Sequence, residues 1–225
     1  MKKIVILFTV IMIFPLFMSA QTKKVQFGLT FSPNISWFKP DDKKVVMDAA
    51  KFGYNFGPVI NINFGDNFSL ETGLLIYNNG GKVKYLDSIT SFEGADSLYT
   101  LQPNAIYSYR SQFLELPFSV KLKTNEVGYF TYFLKFGLNP QMLLKAKGDI
   151  SQFNIADEDF KKELSFFNLG YNISGGIHYS LGANTTLLAE IGFNNGFFDV
   201  TKDKTKIKDY KVIMNNLLLR VGLLF

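Results

Sequence analysis

KFGYNFGPVININFGDNFSLETGLLIY, residues 51–77, is the stretch on which the fold turns. Phe52, Tyr54, Phe56, Pro58, Ile60, Ile62 and Phe64 alternate with Gly53, Asn55, Gly57, Val59, Asn61 and Asn63. A period of two belongs to a strand with unlike faces; a helix repeats every 3.6 residues. Gly65-Asp66-Asn67 supplies a short turn. Beyond it, Leu70, Thr72, Leu74 and Ile76 form one row against Ser69, Glu71, Gly73, Leu75 and Tyr77. So long an alternation exceeds what a soluble edge strand shows.

The pattern spreads outward from this hairpin in both directions. Val25, Phe27, Leu29 and Phe31 alternate with Gln26, Gly28, Thr30 and Ser32. Leu114, Leu116, Phe118, Val120 and Leu122 oppose Phe113, Glu115, Pro117, Ser119 and Lys121. Phe130, Tyr132, Leu134, Phe136 and Leu138 oppose Thr131, Phe133, Lys135, Gly137 and Asn139. In residues 165–180, Phe167, Leu169, Tyr171, Ile173, Ile177 and Tyr179 face away from Asn168, Asn172, Ser174 and His178. Residues 185–198 set Leu187, Ala189, Ile191 and Phe193 against Leu188, Glu190, Gly192 and Asn194. The last segment, 210–225, sets Ile213, Leu217, Leu219, Val221, Leu223 and Phe225 against Met214, Asn216, Leu218, Arg220, Gly222 and Leu224. That makes eight strands. Their connections alternate between long loops of roughly 12, 20, 17 and 11 residues and turns of about three to five, the rhythm of an outer-membrane barrel with both termini in the periplasm.

Composition narrows the chemistry. The 225 residues include no Cys and one His. A disulfide framework, a thiolate zinc site, a thiol nucleophile and a His-cluster metal site are therefore excluded. Met1-Lys2-Lys3, an apolar run from Ile4 to Phe17 and Met18-Ser19-Ala20 have the layout of a secretory signal peptide, residues 1–20. Removal of Lys2 and Lys3 lowers the formal charge from +5 to +3, too weak an excess to indicate nucleic acid. No apolar run of membrane-helix length follows Gln21, so entry into a membrane requires a closed barrel, residues 21–225.

The two faces decide the solvent. A soluble barrel turns its apolar face inward; a membrane barrel inverts this. The charges in strand centres, Glu71, Glu115, Lys121, Lys135, Glu190 and Arg220, all fall on the face rich in Gly, Asn, Ser and Thr. Three acids and three bases balance, and a lone charge in a narrow lumen is costly unless paired. They are expected to form an interior network, with Glu190 and Arg220 on adjacent strands as its first pair. Tyr54, Phe64, Phe130, Tyr132, Phe167, Tyr179 and Phe225 are expected to supply interfacial aromatic girdles, and Trp37 the outer end of the first strand. The fold class is thus all-β: an eight-stranded antiparallel up-and-down transmembrane β-barrel after a cleaved signal peptide.

The terminal LLLRVGLLF, residues 217–225, closes on an aromatic residue preceded by alternate apolar residues. It resembles the C-terminal signal that the barrel assembly machinery reads, carried here by Val221, Leu223 and Phe225. FLELPFSVKLK (Phe113 to Lys123) and SLETGLLIY (Ser69 to Tyr77) resemble strands of the outer-membrane β-barrel family that includes the PorT-like proteins of Bacteroidetes. The resemblance covers about residues 21–225 and implies an eight-stranded outer-membrane barrel in a Gram-negative bacterium. Some members of that family are tied to type IX secretion and gliding.

Catalytic patterns are missing. His178 lies on the inward face near the periplasmic end of its strand with no acid beside it, whereas a barrel hydrolase needs His with a carboxylate at the outer rim. Asp157-Glu158-Asp159 lacks the Gly and distal Glu of a calcium loop. Asn78-Asn79-Gly80-Gly81 lacks the helix and Lys-Ser/Thr pair of a phosphate loop and reads as a bulge near a rim. Neither a metal nor a cofactor is expected. The expected function is a small outer-membrane barrel, not an enzyme, with a structural or partner-binding role at the envelope, accessory to protein secretion if the PorT-like resemblance extends to role. Two alternatives stand beside it: a narrow porin-like channel for ions or small solutes, and a secreted soluble lipocalin-like ligand carrier. Expected partners are outer-membrane lipid and lipopolysaccharide (touched by Lys202, Lys204, Lys206 and Lys208), the barrel assembly machinery and an envelope or secretion protein, with no nucleic acid.

Overall fold

A computed structural model describes residues 24–41, 45–86, 89–93, 98–101, 103–150, 155–159, 161, 164–182, 184–200 and 212–225. The segment expected to be a signal peptide and the lysines of 202–208 lie outside the described residues. The described chain is entirely strand and connection. Its strands are β1 (Val25–Pro40), β2 (Val45–Asn63), β3 (Phe68–Gly73), β4 (Leu75–Tyr85), β5 (Ile89–Glu93), β6 (Leu98–Leu101), β7 (Ala105–Glu115), β8 (Phe118–Lys123), β9 (Phe130–Ile150), β10 (Ile155–Asp159), β11 (Phe167–Ser180), β12 (Thr186–Gly196) and β13 (Val212–Leu224). β3 runs into β4 through Leu74, and β7 into β8 through Leu116 and Pro117, so each pair is one wall strand.

The wall closes on itself. β1 pairs antiparallel with β2 on one side and with β13 on the other, and the order continues through β12, β11 and β9 to β7–β8, then β3–β4 and back to β2. Eight strands therefore form a ring with no free edge, which satisfies every wall strand's backbone inside a bilayer. At the seam, Leu29 lies opposite Leu223, and the Phe27 and Phe225 amides each donate to the other's carbonyl, at 3.2 and 2.7 Å. A short hairpin, β5–β6, and a short strand, β10, which extends the sheet beside β9, decorate the end with the long connections.

The period-two pattern partitions as expected. Phe31, Phe56, Leu134, Phe136, Ile173, Ile191 and Leu219 are exposed on the outer face, while Ser32, Asn55, Asn61, Ser119, Asn172 and Ser174 are buried. An exposed apolar band of this size would be untenable in water and is what a hydrocarbon solvent selects. Tyr54, Phe64, Phe130, Tyr132 and Phe167 stand exposed on it, and Trp37 packs against Phe193 with ring centroids 6.2 Å apart.

Two features depart from the expected layout. The first long loop is mostly strand: β1 reaches Pro40 and β2 already begins at Val45, held by pairing with β4 from Val45↔Tyr85 and with β13 at Pro40↔Val212. In the same way β9 runs on to Ile150. The interior of this outer end is also apolar and aromatic. Phe38, Val45, Tyr77, Val83, Tyr107, Tyr109, Phe113, Leu143, Ile150, Leu164, Val200 and Met214 form one buried cluster, with Phe38 edge-on to Tyr109 at 5.7 Å. The barrel thus has an ordinary packed core in its outer part and a polar, charged layer beneath it.

Candidate functional site: the charged interior layer

Among the described residues, six charged side chains are buried in the lumen, none more than 4% exposed. Strand alternation aims each of them inward: Glu71 from β3, Glu115 from β7, Lys121 from β8, Lys135 from β9, Glu190 from β12 and Arg220 from β13. Glu71 is the hub. Its Oε2 lies 2.7 Å from Lys121 Nζ, and its Oε1 lies 2.8 Å from Lys135 Nζ and 3.1 Å from Arg220 NH1. Glu190 shares two of those cations, at 2.7 Å from Lys135 and 3.5 Å from Arg220. The pair expected first, Glu190 with Arg220, is directly opposite in register, yet the ammonium of Lys135 makes the shorter contact.

The network spans the lumen. Glu71 and Arg220 stand on strands separated by β2 and β1, and Lys135 reaches Glu190 past β11. Small inward residues make room for these long side chains: Ser32 accepts from Arg220 Nε at 3.3 Å, and Ser174 and Gly192 lie between the charged positions. Lys121 and Lys135 are direct cross-strand neighbours, a repulsive pair that Glu71 bridges. Burial on this scale is stabilising only when each ion is matched, and here five of the six are.

Glu115 is the exception. It receives a hydrogen bond from Gln141 Nε2 at 2.6 Å, and its Oε1 has no partner among the described residues. Amide groups continue the layer: Asn168 donates to Gln141 at 3.2 Å, and Asn172 donates to Asn139 at 2.5 Å and to Ser119 at 3.0 Å. A cavity of about 10 Å³ remains beside Glu115, Lys135, Glu190 and Arg220, space for about one water. Above, Asn194 donates to the Tyr77 hydroxyl at 3.1 Å and ties this layer to the aromatic core.

Below the charges, Lys121 also donates to Asn61 at 3.1 Å, and Lys123 to Asn63 at 2.7 Å. The Phe133 ring lies 4.7 Å from both the Lys121 ammonium and the His178 ring. Gly176 makes that possible, since a Cβ there would meet Phe133 Cζ at 2.6 Å and the Ala189 carbonyl at 2.3 Å. His178 is buried in this aromatic setting. Asp157 accepts from Lys147 and from Arg110, and no group of three or more metal-ligating side chains occurs among the described residues. Val221 and Leu223 face outward near the seam that Phe225 closes.

A sealed ring whose apolar side chains face out and whose charges cancel inside is the arrangement of an outer-membrane barrel. The outer membrane protein beta-barrel domain family matches residues 19–215. The chain belongs to that family. It is accordingly a protein of the Gram-negative outer membrane. No curated protein matches it. Among solved structures it is similar to Neisserial surface protein A, at 10% identity over 90% of this chain and 96% of that one, with a TM-score of 0.51. It is also similar to OprG from Pseudomonas aeruginosa, 12% identical over 89% of this chain and 94% of that one with a TM-score of 0.45. Ail of Yersinia pestis is 14% identical over 90% of this chain and 100% of that one, with a TM-score of 0.43. At such identities the likeness is one of fold.

Proposed function

We propose that the protein is a closed, non-catalytic barrel that serves the envelope by presenting its outer end to a partner, and that it does not conduct solutes. The observation that carries this reading is the two-layered filling of the lumen. A charge-matched polar layer leaves room for about one water, and an aromatic core is packed above it. A porin-like channel needs a continuous aqueous path, which these layers oppose. A soluble ligand carrier needs an apolar interior pocket, whereas here the interior centre is ionic and the apolar face points outward. Catalysis is opposed by the setting of His178, pressed against the Phe133 ring that also carries the Lys121 ammonium, at the periplasmic side.

Planar-bilayer recording on the refolded chain tests this. Absence of steady conductance supports it; stable unitary currents refute it. The sequence resemblance to PorT-like proteins favours a secretion-system partner, with the outer-end strands β5–β6 and β10 as the presented surface. Crosslinking in the native envelope, read by mass spectrometry, identifies the partner. The terminal Val221, Leu223 and Phe225 fit the role of an assembly signal, and they also make the closing seam.

A further inference from the structure

On one side of the barrel the outer wall changes character abruptly. Moving up β2, β4, β7 and β9, the exposed row Phe52, Tyr54, Leu144 and Met142 ends. Register then defines successive outward rungs: Asn78–Gln112–Lys145, Gly80–Arg110–Lys147, and Lys82–Ser108–Asp149, with Lys84 beside Ile106 above them. Lys51 joins the second rung from β2. Its side chain lies over the outward face of Gly80, where a Cβ would come within 3.1 Å of Lys51 Cδ.

A bulge creates part of this surface. Between Gln112↔Lys145 and Phe113↔Leu143 one extra residue enters β9. Below it Met142 and Leu144 face out; above it Lys145 and Lys147 face out while Ala146, Gly148 and Ile150 turn inward. With unbroken alternation in place of the bulge, the two lysines would point into the aromatic core. A second irregularity, in β2 between Ala50 and Tyr54, accompanies the placement of Lys51. Bulges of this kind re-aim side chains.

The cations are unequally satisfied. Asp149 accepts from Arg110 at 2.8 Å; Asp157 accepts from Arg110 at 3.0 Å and from Lys147. Lys51, Lys82, Lys84 and Lys145 make no ion pair with a described residue. Lys51 lies near the Arg110 guanidinium and Lys82, with Asp149 as the opposing charge. Asp48 and Asp159 are further acids at the margins. The lowest rungs, next to the lipid zone, are the basic ones.

We propose that this row, centred on Lys51, Lys82, Arg110 and Lys145, is a docking site for the phosphate groups of an outer-leaflet glycolipid of the lipid A type. Two features select this occupant. The site faces the membrane side of the wall and not the lumen, and it begins where the apolar band ends, at the depth of headgroups with acyl chains lying below along Phe52, Tyr54 and Leu144. The fork of Arg110, pre-set by Asp149 and Asp157, suits a phosphate. The inference rests on the outer-membrane placement alone; a conducting barrel would leave it intact.

The test uses the refolded full chain in detergent micelles with diphosphorylated lipid A, enzymatically dephosphorylated lipid A, phosphatidylglycerol or inorganic phosphate as probe, and native mass spectrometry as readout. The parent is expected to retain diphosphorylated lipid A about tenfold over the dephosphorylated form. The triple variant Lys51→Gln, Lys82→Gln, Lys145→Gln is expected to lose about tenfold of that retention, while Lys24→Gln, at the opposite end of the barrel, keeps it. Equal retention of the two lipid A forms, an unchanged triple variant, or equal competition by phosphatidylglycerol or phosphate overturns the proposal. Heat-modifiable migration reports whether the triple variant folds; if it does not, the comparison of the two lipid A forms on the parent decides.

Discussion

Glu71→Gln is the sharpest probe of the interior. The glutamate pairs with three cations, at 2.7, 2.8 and 3.1 Å, but they do not depend on it equally. Lys135 and Arg220 retain Glu190 at 2.7 and 3.5 Å. Lys121 retains only the Asn61 amide and the Phe133 face, and it is fully buried. The substitution therefore leaves one uncompensated interior ammonium. Breaking a buried pair from one side costs about 3–5 kcal/mol. Glu115→Gln is the internal control: it is equally buried, but its one contact is the Gln141 amide, which a glutamine oxygen also accepts, so the cost is about 1 kcal/mol. Both are measured by urea unfolding of the refolded barrel in micelles. The single tryptophan, Trp37, tilted against Phe193, serves as the reporter. Adding Lys121→Met to Glu71→Gln should recover part of the loss, because the orphaned charge is then gone. If Glu71→Gln costs no more than Glu115→Gln, or Lys121→Met adds to the damage, the hub role of Glu71 is wrong.

Three further outcomes follow from the geometry. Gly176→Val should destabilise the barrel by about 1–3 kcal/mol or more in the same assay, because the new atoms meet the Phe133 ring and the Ala189 carbonyl. At the outer end, the hydrogen bond from Lys147 and the Arg110 charge hold the Asp157 carboxyl below its ordinary range; for Asp149 burial pushes upward, but the Asp157 amide and Arg110 outweigh it. Depressed carboxyl values mean that the stabilisation is complete above about pH 4 and is lost as the pH falls further, so hydrogen exchange should show the Asp157 amide losing protection on acidification below that point while β11 and β12 do not. Deleting Phe225 removes both seam hydrogen bonds with Phe27 and should lower the yield of heat-modifiable, folded barrel.

The wall was legible from residues 51–77 outward because the membrane enforces alternation: most exposed Phe, Leu or Ile residues have a Gly, Asn or Ser neighbour facing in. The six interior charges were legible for the same reason, since a charge in mid-strand can only face the lumen. Four things were hidden in whole or in part. The bulge in β9 falls in Met142-Leu143-Leu144, a run apolar in either phase, so nothing in the sequence marks the point where Lys145 turns outward. The polar segment KPDDKK, residues 39–44, has loop composition, yet β1 runs into it as far as Pro40 against β13, and β2 begins directly after it at Val45 against β4. The aromatic core was half visible, with Phe113 and Tyr77 already on the inward face. Its upper members Phe38, Tyr107, Ile150 and Leu164 come from loop margins whose packing depends on contacts distant in sequence. The ranking of ion pairs was also out of reach, because Lys135 meets Glu190 across an intervening strand.

Because the chain has no cysteine, single cysteines can be introduced and spin-labelled without background. Labels at Leu134, Ile173 and Leu219 should collide freely with oxygen dissolved in the bilayer and not with a water-soluble nickel chelate, whereas labels at Ser119 and Ser174 should be immobilised and shielded from both. The opposite distribution, with the leucine and isoleucine sites shielded and the serine sites open to lipid, would contradict the placement of the two faces.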